Sequence, residues 1–519
     1  MLWQLQREVY NQQGVQAWSS GSVPQSITTS PFTARAYARV VLGYLRDVDS
    51  LIDASAPVYI LELGAGSGRF GYRFVKQLSG LLQRSVLQHT SFVYIMTDVS
   101  PSMVDYWQTH PSLRPLAESG VVDFAVFDAA HPDEIHLVNS GTVLRPGKVA
   151  NPMLVVANYL FDSIPQDCFS VGDGVLFENL VSIRSPNAPR PASGPTPPLR
   201  DLQVSFESHP TRTEYYADPA LDGILDGYRR RLDNVILLFP IEAVHCLDFF
   251  HRLADHGVLF LIGDIGTARE GDLSEQSSGG ISTDSNFWLS VNFHALGQYV
   301  VGLGGKVLHP PSSPANLNIS TFILGQSPTD FAETELAYDA AIGQWGPDDL
   351  SVTTRMLTEQ VEKMSRGQLL TFLRSVAFDP DYVVRCVPLL LDSLPDVSWS
   401  GAQDLRLAAA EAWDMYYPMG NDDADLFDLP AGLGVLLYTI GDYAQGLEYF
   451  LRSLELVGMD PRTTFNVALC MNRLERREEA VQWLERTLEV DPSHEKAQAM
   501  RAELLGTPSP SGRGRAQRG

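Results

Sequence analysis

The chain has 519 residues, more than one hydrophobic core accommodates, so two or three domains are expected. Its 44% hydrophobic and 19% charged residues are ordinary for a globular protein, and no apolar run reaches the ~18 residues needed to span a bilayer. A net charge of −24 argues against a general binder of nucleic acid or acidic membranes, because phosphate binding needs basic surface; it suits a basic peptide partner, and equally mere solubility.

Residues 1–50 read as helical, with a polar break at Ser19–Thr29 and then Ala, Tyr, Val and Leu at helical spacing from Pro31 to Asp47. An apolar strand follows and ends in Ile60-Leu61-Glu62-Leu63-Gly64-Ala65-Gly66-Ser67-Gly68-Arg69. Glycines at a strand-to-helix turn let backbone approach a ligand and tolerate positive φ. The spacing is G-x-G-x-G; a dinucleotide fingerprint would need glycine where Arg69 stands, which sets NAD-dependent redox chemistry aside. A helix from Phe70 to about Leu82 comes next. Phe92–Asp98 is a second strand, and the carboxylate at its tip can accept both ribose hydroxyls of a nucleoside. Val121–Ala129 is a third strand with Asp128 near its end, Met153–Asn158 a fourth, Gly257–Asp264 a fifth and Ile319–Gly325 a late one. Apolar runs alternating with helical segments predict a mostly parallel α/β sheet covered on both faces, with ligands at the carboxyl ends of its strands. A single acid after a strand is an ordinary turn or helix cap. Three in succession, the first preceding a glycine loop, point to cofactor contacts.

Between the fourth and fifth strands, Val175–Arg184 and Leu202–Glu207 flank a Pro/Ser-rich loop and read as a β-hairpin arm, either a cover for the substrate side of a pocket or a surface decoration. After Gly325 the chain is helix-rich. From about Leu433 a pattern with small residues at Gly434 and Gly446 recurs 34 residues later at Ala468 and Ala480, closed by Asp491-Pro492. It resembles a pair of tetratricopeptide repeats, which usually bind peptides or partners but can also dimerise or brace a neighbouring domain. The tail Pro508–Gly519 is expected to be disordered. Its Gly512-Arg513-Gly514-Arg515 resembles glycine–arginine methyl-acceptor sequences, a composition that motivates the hypothesis of automethylation there. Cys168, Cys246, Cys386 and Cys470 are far apart and suggest neither a zinc site nor a disulfide framework. With no apolar signal core in Met1–Glu8, a soluble cytoplasmic protein is expected.

The glycine loop with Glu62 two residues upstream resembles motif I of class I S-adenosylmethionine (SAM) methyltransferases, which are Rossmann-like. The resemblance implies that Glu62, Gly64, Gly66, Gly68 and Asp98 hold SAM. It also implies that Asp128 binds the adenine amino group, with an apolar neighbour such as Phe127 or Ala129 over the ring. The end of the fourth strand would face the sulfonium methyl, so that Asn158 and Asp162 align the acceptor and Asn158 also touches the cofactor. Asp162 reads alternatively as the N-cap of a helix over Pro165. No metal is required.

The segment Val156-Ala157-Asn158-Tyr159-Leu160-Phe161-Asp162-Ser163-Ile164-Pro165 is similar to the A-N-E-x-x-D-x-x-P of the MidA-like methyltransferase family, whose mitochondrial member dimethylates an arginine of a respiratory complex I subunit. Thr29-Ser30-Pro31, Gly263-Asp264-Ile265-Gly266 and Ser290–Leu296 match further motifs of that family in order. The likeness runs from about residue 25 to 326. Tyr159 replaces the family's glutamate; a guanidinium is best held by bidentate carboxylates, so Asp162, Asp264 or Glu178 would have to compensate. Tyr159 itself would stack on an acceptor or simply pack.

The expected organisation is a helical segment over 1–50, a SAM-dependent methyltransferase domain over 51–330 with the hairpin inserted at about 170–215, a helical region over 331–430, repeats over 431–505 and a tail from 506. The expected activity is methyl transfer to a nitrogen, arginine included, of a protein or peptide presented partly by the repeats. A small-molecule N- or O-methyltransferase and a SAM-binding scaffold without turnover are the alternatives. Oligomeric state stays open.

Overall fold

Ser30 starts the first described helix, α1 (Pro31–Asp47): its Oγ accepts the Thr33 amide at 3.1 Å, and Pro31 occupies the first turn, where its missing N–H costs nothing. The computed structural model describes residues 26–184, 203–212, 214–274, 281–282, 288–392, 399–419 and 428–506. The readings placed on residues 1–25, on the Pro/Ser-rich loop and on the Gly–Arg tail lie outside these. Two compact bodies form. Of the described residues, the first comprises those up to Val352 together with Tyr417–Met419, and the second comprises the others from Thr353 onward.

The first body is built from β1 (Val58–Leu63), α2 (Arg69–Gln83), β2 (Phe92–Asp98), α3 (Pro101–Thr109), β3 (Val122–Val126) and β4 (Met153–Asn158). There follow β5 (Asp167–Gly172), β6 (Val175–Arg184), β7 (Gln203–Pro210), α4 (Pro219–Arg231), β8 (Val235–Phe239), α5 (Ile241–Leu253) and β9 (Val258–Asp264). After these come α6 (Phe293–Gly302), β10 (Lys306–Leu308) and β11 (Asn318–Leu324). Seven strands make the main sheet in the order β10-β11-β9-β4-β1-β2-β3. Pairs among β9, β4, β1, β2 and β3 are parallel, while β11 runs antiparallel to both β9 and β10. Strand order reverses at β1, between β4 and β2, which is where an open α/β sheet gathers a ligand. Register brings Leu63 beside Thr97 and Ala157, and Asn158 beside Gly263, so four strand ends converge there.

All seven residues of β9 and β11 are buried, as expected of strands covered on both faces. The hairpin expected between the fourth and fifth core strands is β6 and β7, paired from Phe177–Pro210 to Arg184–Gln203. It belongs to a larger antiparallel sheet, β8-β5-β6-β7, whose β5 and β8 were not anticipated. The helix that the alternative reading of Asp162 places over Pro165 is absent: Phe161–Ser163 is a single 3-10 turn, and the chain then enters β5, so Asp162 caps no α-helix.

The second body is helical. Leu429–Thr439 pairs with Tyr443–Val457, and Pro461–Arg473 with Arg477–Val490. Small residues let these helices cross closely: a Cβ on Gly434 would lie 2.7 Å from the Phe450 ring, and Ala468 and Ala480 are fully buried. Among the described residues, no helix is long and apolar enough to cross a membrane.

Candidate active site

The glycine loop turns from β1 into α2 through three left-handed residues, Gly64 (φ 66°), Gly66 (φ 51°) and Gly68 (φ 79°). Any other residue would be strained at such angles. A Cβ on Gly68 would also meet Met96 Cε at 2.7 Å. The Ala65 amide donates to Thr97 O at 2.8 Å, and Thr97 Oγ1 donates to Glu62 O at 2.9 Å, fastening the loop to β2. Three successive carbonyls are engaged: Ala65 O by the Gly68 amide, Gly66 O by Trp107 Nε1 and Ser67 O by the Tyr417 hydroxyl.

Glu62 is buried at the base of this turn, where Tyr94 Oη donates to its Oε2 at 3.0 Å. Burial pushes its carboxyl up to about 8; the Tyr94 bond opposes this and the nearby Asp98 charge adds to it. Asp98 ends β2 with its Oδ1 accepting the Ser100 amide at 2.9 Å. Burial raises it to about 6, against the amides of Ser100, Gly66 and Val99, which favour the charged form. Phe127 donates its amide to Asp98 O, and its ring lies among Phe249 and Phe250 at 5.8 and 5.7 Å, part of the apolar core. Asp128 accepts the Ala130 amide and faces His131 at 3.2 Å near the surface.

At the end of β4, Asn158 Oδ1 accepts from Tyr37 Oη at 2.8 Å. Its Nδ2 is buried and has no hydrogen-bond partner among the described residues. A buried amide N–H without a partner is costly, and a ligand acceptor placed there would satisfy it. Gly263 is required beside this pair, because a Cβ there would lie 2.5 Å from Tyr37 Oη and 2.6 Å from Asn158 Oδ1.

Asp264 is fully buried and organises the next turn. Its Oδ2 accepts the amides of Phe161 (2.9 Å) and Asp162 (3.2 Å), and its Oδ1 accepts that of Ile265 (2.9 Å). Asp162 is buried beside it and accepts from Ser163 Oγ at 2.7 Å. Burial raises both carboxyls, Asp162 to about 6 and Asp264 further, since the Asp162 charge adds to its desolvation. Tyr159 adopts φ 50°, its amide held by Gly263 O at 2.9 Å, and its half-buried ring packs against the core; burial and the charges of Asp264, Asp162 and Asp348 push its hydroxyl pKa upward.

The other motifs of the resemblance act as scaffolding. Arg73 of α2 is buried and donates to Thr29 O at 2.8 Å, tying the Thr29-Ser30-Pro31 corner to the helix that leaves the glycine loop. Asn292 caps α6 by accepting the Ala295 amide.

The structure thus brings Glu62, the three glycines and Asp98 to one turn, and Asn158 and Asp162 to the neighbouring strand end. Sequence reasoning missed Tyr37, Trp107 and Tyr417. Two lie on helices with no local signature and the third lies hundreds of residues downstream.

Residues 43–262 match the family described as "Putative S-adenosyl-L-methionine-dependent methyltransferase". Among solved structures, an uncharacterised protein from Burkholderia thailandensis is 16% identical, with 56% of this chain and 68% of that chain covered and a TM-score of 0.35. A second Burkholderia thailandensis protein, crystallised with S-adenosyl-homocysteine (SAH), is 17% identical over 54% of this chain and 62% of that chain, with a TM-score of 0.35. Magnesium protoporphyrin IX methyltransferase from Synechocystis, also with SAH bound, is 11% identical over 55% and 85%, with a TM-score of 0.24. No curated protein matches. The left-handed glycines, the acid at each of two strand tips and the open Asn158 amide fit SAM. The chain is a SAM-dependent methyltransferase, and SAM is its cofactor.

Proposed function

We propose that this methyltransferase modifies a nitrogen of a protein or peptide, an arginine side chain included, in the cytoplasm, and that helices 429–490 work as tetratricopeptide repeats that aid partner binding. The observation that carries the reading is the buried Asp162–Asp264 pair next to Asn158. SAM supplies an electrophilic methyl on a sulfonium. Glu62, Gly64, Gly66, Gly68, Asp98, Phe127 and Asp128 would form its cradle. Asn158, anchored by Tyr37, is set to orient a polar group through its open Nδ2. A nitrogen nucleophile must shed a proton as its new N–C bond forms, and a carboxylate with a raised pKa is suited to receive it. Asp162 fills that role, with Asp264 fixing its backbone. Further acidic character supports a cationic acceptor: a cleft lined by Leu317, Ile319 and Asp348 adjoins Gly263, whose added Cβ would lie 3.6 Å from Leu317 Cδ1. Four buried free thiols suit a reducing compartment.

A small-molecule acceptor is the second reading, favoured by Tyr159 in place of a second carboxylate. Incubation of cell extract with the protein and SAM carrying a labelled methyl separates the two. Label in protein at arginine supports the proposal; label confined to small molecules overturns it.

A further inference from the structure

Three left-handed glycines in five residues give the cofactor loop many competing conformations when nothing holds it. Two indole or phenol donors hold it here. Trp107 Nε1 donates to Gly66 O at 2.9 Å and Tyr417 Oη donates to Ser67 O at 2.8 Å, both from fully buried rings. Trp107 lies within the matched stretch. Tyr417 lies far beyond its end at residue 262, yet by its contacts it belongs to the first body.

We propose that Tyr417 is a positioning residue of the SAM loop, supplied by the segment Tyr417–Met419, so that cofactor affinity depends on a part of the chain outside the recognised methyltransferase stretch.

The segment is built to hold that hydroxyl in place. The Tyr417 ring stacks on His110 with centroids 3.9 Å apart and planes 8° apart, and Tyr72 of α2 packs on it at 5.5 Å. His110 grips the same segment a second time through Nε2 and Pro418 O, 2.8 Å apart. Its Nδ1 accepts the Ser112 amide at 3.2 Å, so the proton sits on Nε2 and the bond to Pro418 runs from ring to carbonyl. Burial holds the imidazole neutral, its pKa lowered to about 4. Packing leaves the loop no slack toward this side: a Cβ on Gly68 would lie 3.0 Å from Tyr417 Oη and 3.2 Å from Trp107 Cδ1. Without the hydroxyl, the loop loses the bond from Tyr417 to Ser67 O and samples geometries that do not bind, which lowers apparent affinity by the fraction lost.

This inference rests on the SAM reading of the loop, and the test keeps the two apart. Full-length wild type, Tyr417→Phe and a control, Tyr338→Phe, are titrated calorimetrically with SAH and unfolded in urea. Tyr338 is equally buried and donates to Ile319 O at 2.7 Å, on β11 and not on the glycine loop, so the control removes the same kind of bond. The expected result is SAH binding about fivefold or more weaker for Tyr417→Phe, and binding like wild type for Tyr338→Phe. Equal SAH affinity in all three, or equal weakening in both variants, overturns the inference. Failure of wild type itself to bind SAH overturns the SAM reading, and the inference with it.

Discussion

Tyr37 and Asn158, 121 residues apart in sequence, meet through a 2.8 Å hydrogen bond at the centre of the candidate site. The bond fixes which edge of the Asn158 amide is spent inside the protein and which is left for a ligand. It also explains why α1 is part of the catalytic fold although it precedes the sheet: Tyr37 is fully buried and its ring meets Phe70 edge-on at 5.4 Å, at the start of the helix that leaves the glycine loop.

Replacing Tyr37 with phenylalanine removes that bond while keeping the ring. Stability should fall by ~1 kcal/mol, the net worth of an ordinary hydrogen bond, and SAH affinity by about three- to tenfold as Asn158 loses its fixed orientation. Urea unfolding and calorimetric titration check the two effects. Unchanged SAH affinity would remove Asn158 from the cofactor site.

Glu62 gives a pH signature. Its carboxyl is raised from 4.5 to about 8 in the folded protein, so the folded state prefers it neutral. The stability this contributes is full below the unfolded pKa and is lost as pH rises toward 8. Glu62→Gln keeps an acceptor for Tyr94 and cannot ionise. The variant should match wild type near pH 4.5 and exceed its stability at pH 8.5 by about 4 kcal/mol. Thermal unfolding across that range measures it.

Legibility followed the reach of each signal. The glycine loop, six of the seven main-sheet strands and the hairpin were readable because they are local: glycine spacing, apolar runs and turn residues lie within one element, whereas β5, β8 and β10 carried no such signal. Strand direction was not, since an apolar run reads alike both ways, and β11 proved antiparallel to β9. Phe127 was expected over the adenine ring, and its packing with Phe249 and Phe250 depends on a helix more than a hundred residues away. Asp162 carried a helix-cap pattern, but Asp264 takes the turn's amides from a distant strand and the chain goes on into β5. Tyr417 had no signal in sequence at all, because its role exists only through contacts with Ser67 and His110.

Asp162 predicts how turnover depends on pH. With its carboxyl raised by burial beside Asp264, methyl transfer to a nitrogen acceptor should fall as pH drops below neutrality, when Asp162 takes up a proton and can no longer receive one. Asp162→Asn should lower transfer at pH 7.5 by roughly 10²-fold or more and flatten this dependence. Initial rates of labelled-methyl incorporation from pH 5 to 8 provide the check. A wild-type profile that Asp162→Asn leaves unchanged in shape assigns the proton to another group.

Calorimetric titration of the purified protein with SAM and with NAD, alongside Gly66→Arg, tests the site most directly. Gly66 sits at φ 51° in the middle of the loop, where an arginine would strain the backbone and place a long side chain in the cradle. SAM binding that Gly66→Arg abolishes, with NAD silent, is the predicted result. Absence of SAM binding, or binding that survives Gly66→Arg, would contradict a cofactor site built on this glycine loop.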